Sequence, residues 1–305
     1  MTVWKNCHDR ADRASFPPGT VVAVKALACE LPSEIGVPLS RFSTAEIKRE
    51  VIRRGLVASI GDTTVWRWLS EDAIRPWHHR SWIFPRDPDF ANKAGRVLDL
   101  YAGTWEGQAL GADEYVISAD EKTSVQARRR KHRTTPPRPG NPMQVEHEYT
   151  RKGAWAYMAA WDVHRARIFG RCEHKTGIAP FGRLVRQVMS QEPYRSAARV
   201  FWVVDNGSSH RGEACQQRLA RRWPNLIVVH TPIHASWLNQ IEIFFSIVQR
   251  KVLTPNDFNS LTALENRLLD FQAHYQAVAK PFQWRFTRRD LEALLDKLAT
   301  PPKAA

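Results

Sequence analysis

Two apolar runs in this sequence each close on an aspartate: "EYVISAD", ending at Asp120, and "RVFWVVD", ending at Asp205. Runs this short, rich in β-branched and aromatic residues and bounded by turn formers, read as buried strands. A buried strand rarely needs a charge at its end. Asp205 is followed by Asn206-Gly207-Ser208-Ser209, so the plainer reading makes it the opening of a turn. The sharper reading makes it a metal ligand. If the two strands are neighbours in one sheet, Asp120 and Asp205 meet at its carboxyl edge, where sites gather in open α/β sheets. Two carboxylates placed together repel unless a cation lies between them. A hard, oxygen-seeking ion such as Mg²⁺ is the expected one.

A third ligand is offered by residues 236–253, which read as one long helix. Trp237, Leu238, Ile241, Phe244, Phe245 and Val248 form its apolar stripe, and Glu242 is its only acid. Asn239 lies three residues earlier and, in a continuous helix, shares a face with Glu242. An acid beside a packed face needs a partner. A salt bridge to Arg250 would satisfy it, but the convergence of Asp120 and Asp205 favours metal coordination. Glu121, next to Asp120 on the strand, is expected to face the other way.

The surrounding pattern has three strands (114–120, 153–164 and 165–174), a helix at 178–193, a strand at 198–206, a helix at 211–224 and a strand at 225–232. Helices at 236–253, 260–277 and 287–299 follow. That order follows a ribonuclease-H-like α/β plan, a mixed central sheet flanked by helices. Upstream, "STAEIKREVIRRG" is a helix with Ser43 and Glu46 as a capping box and Gly55 as its stop. A second helix, 62–72, has Asp62 as its expected cap and Val65, Trp66 and Leu69 as its expected core. Helix, turn, helix is a DNA-reading arrangement, with Thr63, Thr64 and Arg67 near the start of the second helix. The expected organisation is a poorly ordered stretch 1–20, an all-α helix-turn-helix or winged-helix-like module 21–75, a basic linker and connecting helix 76–112, and the catalytic domain 113–300.

Charge agrees with a polyanionic partner. Lys+Arg 45 against Asp+Glu 31 gives a net charge of +14. Arg75 opens a stretch in which arginines alternate with Trp77 and Trp82. The proline-rich segment 127–142, read as a loop, carries Arg128, Arg129, Arg130, Lys131 and Arg133 for DNA phosphates. The four cysteines, Cys7, Cys29, Cys172 and Cys215, show no metal-site or disulfide spacing, which fits a reducing compartment. The first residues have no apolar core of a secretory signal, and no stretch reaches the ~18 apolar residues of a membrane span.

Several of these stretches together resemble bacterial insertion-sequence transposases of the mariner superfamily, the DDE group. They are "VISADEKTSVQA", "VEHEYTRKGA", "FWVVDNGSSHRG" and "HTPIHASWLNQIEIFFSIVQRKVL", with "STAEIKREVIRRG", "TTVWRWLSEDAIRPW" and "RDPDF…VLDLY" upstream. The resemblance spans roughly residues 20 to 300. It implies Asp120, Asp205 and Glu242 as a catalytic, metal-binding triad for two Mg²⁺ ions, with Mn²⁺ able to substitute, and Asn206, His210 and Asn239 in supporting positions. It implies cleavage at transposon ends followed by joining of the freed 3′-OH to target DNA. The implied partners are double-stranded DNA, both terminal inverted repeats and target, and a second copy forming a homodimer on paired ends. No membrane is involved, and the implied location is the bacterial cytoplasm, on the nucleoid. One departure stands out: the family carries two small DNA-binding modules, whereas 119 residues precede Asp120 and the first 20 match neither. The competing expectations are a catalytically inactive relic or regulator that only binds DNA, another nuclease on the same plan, and a merely structural basic protein.

Overall fold

The computed structural model describes residues 16–79, 85–207 and 213–299. The chain divides into two compact units, Met1–Ile83 and Phe84–Ala305. Among the described residues, no helix is long and apolar enough to cross a membrane.

The first unit is helical throughout its regular structure: α1 (Pro18–Ala28), a 3₁₀ turn (Pro32–Ile35), α2 (Thr44–Arg53) and α3 (Asp62–Glu71). Val24, Leu27, Phe42, Ile47, Val51, Ile60, Val65, Trp68 and Leu69 form its core. α2 starts as its sequence predicts. Ser43 Oγ accepts from the Glu46 amide at 3.3 Å and the Glu46 carboxylate accepts from the Ser43 amide at 2.6 Å. It also stops as predicted: Gly55 adopts φ +67°, its amide reaches the Ile52 carbonyl, and the Leu56 amide reaches the Val51 carbonyl. These are the two bonds of a Schellman ending, and the positive φ is what requires glycine. Two expectations for α3 are corrected. Asp62 is the first residue of the helix rather than its cap; Gly61 precedes it and no side chain caps the end. Trp66 is 56% exposed, while Trp68 occupies the core. The physical reason is helical phase: Val65, Trp68 and Leu69 follow the i, i+3, i+4 spacing of one face, and Trp66 falls outside it.

The second unit begins with α4 (Phe90–Tyr101) and a small ribbon of β1 (Thr104–Trp105) and β2 (Gln108–Ala109). Its main sheet contains β3 (Glu114–Arg130), β4 (Tyr149–Asp162), β5 (Arg167–Glu173), β6 (Arg199–Val204) and β7 (Leu226–His230) in the order β5-β4-β3-β6-β7. β5, β4 and β3 are antiparallel neighbours; β3, β6 and β7 run parallel. The remaining helices are α5 (Ile178–Met189), α6 (Glu213–Arg222), α7 (Ile241–Lys251), α8 (Leu261–Gln276) and α9 (Arg288–Ala299). Alternation along the strands sorts the side chains onto two faces. Val116, Tyr157, Trp161, Phe201 and Val203 share one core with α4, α7 and α8. Ile117, Met158, Ala160, Val200, Trp202 and Val204 share the other with α5 and α6. The mixed sheet with helices on both faces is the ribonuclease-H-like architecture.

Two more expectations are corrected here. β3 does not end at Asp120 but runs ten residues further, to Arg130, so Ala127 to Arg130 are strand and not loop. β3 outlasts its parallel partner because β4 continues to pair with it, from Asp120↔Ala159 to Arg130↔Tyr149, across a register shift after Lys122. The expected long helix 236–253 is broken: Ser236–Leu238 form a 3₁₀ turn, Asn239 is extended (φ −83°, ψ 110°), and α7 starts at Ile241. Asn239 therefore does not share a helical face with Glu242. The break is stabilised by buried hydrogen bonds to Asn239 that a continuous helix would not allow.

Candidate active site

The parallel pairing of β3 with β6 has a constant offset. Glu114 lies opposite Arg199 and Ser118 opposite Val203, 85 positions apart in each case. Asp120 and Asp205 are separated by the same 85 positions, and each lies two residues beyond the last β3–β6 pair, Ser118↔Val203. By strand alternation Asp120 falls on the face of Val116, and Asp205 on the face of Phe201 and Val203. This is the face covered by α7, whose first turn carries Glu242. Glu121 falls on the opposite face, as its parity predicts.

Asp120 is 6% exposed. Its Oδ1 accepts from the Glu121 amide at 2.8 Å, and its Oδ2 faces the Asn239 side-chain amide at 3.4 Å. Burial pushes its carboxyl up to about 7, and the negative charge of Asp205 adds to the rise, followed by Glu121 and Glu242. Glu242 lies at the exposed edge of α7, yet partial desolvation still raises its carboxyl; Lys122 pulls it down and Asp205 pushes it up. Asp120 thus feels the charges of Asp205 and Glu242, and Glu242 feels that of Asp205. Asp205 Oδ1 also accepts from the Gly207 amide at 2.7 Å, so it does open a turn. The Asn206 side-chain amide donates to the Thr231 carbonyl at 2.7 Å and ties the end of β6 to the end of β7. His210 lies outside the described residues.

The donor set is three carboxylates, the chemistry of a hard divalent cation. Among the described residues, no three His, Cys, Asp or Glu side chains are grouped closely enough to hold an ion as placed. One cavity takes in Asp205, and a second lies along the continuation of β3 past Asp120. The first, about 640 Å³, is lined by Asp205, Asn206, Lys93, His230 and His234. The other, about 590 Å³, is lined by Lys122, Gln126, Arg128, Tyr149 and Asn256. Lys122 is a residue that sequence reasoning missed. It lies two positions after Asp120, hence on the same face of β3, and the period-two pattern would have revealed it had the strand not been ended at Asp120.

The basic residues divide into two kinds. Arg128 and Arg130 lie over the Tyr149 ring at 4.6 and 5.1 Å. Arg130 also donates to the carbonyls of Asn256, Glu146 and His147, bracing the base of the 131–148 loop. Arg129, Lys131 and Arg133 are exposed. In the first unit Thr63, Arg67 and Arg75 are exposed and Thr64 is half-buried.

The mixed five-stranded sheet with helices on both faces defines the ribonuclease-H-like fold class. Residues 115–265 match the family described as DDE superfamily endonuclease. No curated protein matches the chain. Among solved structures it is similar to a pre-cleavage Mos1 transpososome, at 16% identity and TM-score 0.53, covering 87% of this chain and 81% of that one. It is also similar to the Mos1 strand transfer complex, at 13% identity and TM-score 0.51, covering 93% of this chain and 78% of that one. At these identities the likeness is one of fold.

Proposed function

We propose that this protein is a DNA transposase that cuts at transposon ends and joins the resulting 3′-OH to target DNA. The observation that supports the reading is that Asp120 and Asp205 each lie two residues beyond the last β3–β6 pair, beside the helix whose first turn carries Glu242. The match of residues 115–265 to DDE superfamily endonucleases supports it, as does the fold shared with Mos1 proteins solved as a transpososome and a strand transfer complex.

In this reading Asp120, Asp205 and Glu242 hold Mg²⁺, for which Mn²⁺ can substitute. When bound, the metal would lower the pKa of an attacking water or 3′-OH and stabilise the leaving oxygen. The chain's own contribution is placement. Asp120 sits on a strand that pairs with β6 as far as Ser118 and with β4 through Asp120 and beyond. Asn239 holds the Asp120 carboxylate from beside it. Lys122 offers a cation toward a DNA phosphate next to the acids. Arg129, Lys131 and Arg133 are free to meet the duplex beyond, and Thr63, Thr64, Arg67 and Arg75 supply the end-reading surface of the first unit. The partners are double-stranded DNA, both terminal repeats and target, and a second copy of the chain on paired ends.

The test is strand joining. A duplex from the DNA flanking the coding sequence, labelled and ending in a 3′-OH, is incubated with a supercoiled plasmid and Mg²⁺. The reading predicts labelled, joined plasmid that competitor end DNA suppresses better than random DNA. Cleavage of random and end DNA alike, with no joining, would instead identify a general nuclease on the same plan.

A further inference from the structure

Helix α7 carries Glu242 in its first turn but has no cap of its own. The preceding residue, Gln240, is already in helical conformation (φ −60°, ψ −24°) and makes no side-chain capping bond. The Glu242 and Ile243 amides turn back to the Asn239 and Gln240 carbonyls, but those of Gln240 and Ile241 would be orphaned in a buried place, which is costly. Two side chains from other elements satisfy them. Ser118, fully buried on β3, accepts from the Ile241 amide at 2.9 Å. Tyr101, at the end of α4, accepts from the Gln240 amide at 3.3 Å and donates to the Leu238 carbonyl at 2.8 Å.

The same atoms reach the acids. The Ser118 hydroxyl donates to Asn239 Oδ1. Asn239, 1% exposed, passes its side-chain amide to the Ala119 carbonyl at 3.0 Å and to Asp120 Oδ2 at 3.4 Å. One buried network therefore links the strand that carries Asp120 to the start of the helix that carries Glu242. Ser118 is two residues from Asp120, and the amide it caps belongs to the residue before Glu242.

We propose that Ser118 and Tyr101 are positioning residues that cap α7 from β3 and α4 and so set the location of Glu242 relative to Asp120. The inference rests on the reading of the three acids as a divalent-cation site. A cap supplied by α7 itself would fix only the helix; a cap supplied by β3 fixes the helix to the strand. The half-exposed Glu242 has few other restraints, so a shift of the helix start moves it directly.

The experiment measures Mn²⁺ binding to the full chain by electron paramagnetic resonance, with no DNA present. Wild type is compared with Ser118→Ala, Tyr101→Phe and Asp205→Asn. Val188→Ala, buried on α5 in the core on the opposite face of the sheet, is the control for general destabilisation. Loss of supporting hydrogen bonds around metal ligands weakens affinity by roughly 10–100-fold. A loss of that size is expected for Ser118→Ala, a smaller one for Tyr101→Phe, and none for Val188→Ala even where its melting temperature falls as far. Wild-type affinity in both Ser118→Ala and Tyr101→Phe, with binding lost in Asp205→Asn, would overturn the positioning role and leave the cation site standing. Equal loss in Val188→Ala would reduce the effect to stability and overturn it too. Absence of Mn²⁺ binding in wild type would overturn the cation site and this inference together.

Discussion

Trp66 and Trp68 stand two residues apart on α3 and have opposite environments, the first 56% exposed and the second 7%. Truncating Trp68 to alanine opens the core of the first unit and is expected to cost about 3 kcal/mol or more. Trp66→Ala is expected to stay within about 0.5 kcal/mol. Urea unfolding of the two variants, followed by circular dichroism, checks the difference. Composition alone could not separate them, because both are aromatic; only the helical phase set by Val65 and Leu69 does. At the candidate site, Asp120, Asp205 and Glu242 stand out in the sequence because each is an acid beside an apolar pattern. Ser118 and Lys122 do not. Ser118 passes as a small residue in an apolar strand, and Lys122 falls beyond Asp120, where the apolar run stops. Their roles depend on a register with strands 35 to 85 positions away and on a helix start more than a hundred residues away in sequence.

Among the elements, α2 was the most legible, since its cap and its stop are local chemistry. Glu50 on this helix is nearly buried, at 6% side-chain exposure, and bonds both Arg53 and Arg54. The Arg53 guanidinium, with help from Arg54, holds its carboxyl down at about 2, against an ordinary 4.5. A depressed folded-state pKa gives stability that is present above the unfolded value and lost as pH falls through the folded one. The first unit is therefore expected to lose stability between about pH 4.5 and 2. Because Arg53 is 65% exposed, solvent screening limits the loss to about 1–2 kcal/mol. Hydrogen exchange of α2 amides should accelerate over that window in wild type and much less in Glu50→Gln. At Gly55, φ +67° makes any Cβ strained, and Gly55→Ala should cost about 1 kcal/mol in the same urea assay. The far half of β3 was the least legible element. Arg128, Arg129 and Arg130 are poor strand formers by propensity, and what makes them strand is tertiary: pairing to β4 and the Tyr149 ring beneath two of the guanidinium groups.

For the whole molecule, the excess of basic residues suits a polyanion, which the proposed function makes DNA. Binding driven by phosphate contacts releases counterions, so affinity should fall linearly on a log–log plot against salt. Arg129, near the end of β3, and Lys131, at the start of the 131–148 loop, are exposed. Replacing both with glutamine should reduce the slope by about 2, roughly one unit for each lost contact, with little change in preference among sequences. Fluorescence anisotropy across a salt series measures it, and an unchanged slope would place the DNA elsewhere. The central claim, that Asp120, Asp205 and Glu242 form a metal-dependent nucleolytic site, is tested most directly by cleavage. A labelled duplex carrying the flanking end sequence is incubated with Mg²⁺ or Mn²⁺ and either wild type or Asp205→Asn. The account predicts metal-dependent nicking at the end by wild type, reduced on the order of a thousandfold in the variant. Specific binding of that duplex by both proteins, with nicking by neither in either metal, would contradict it.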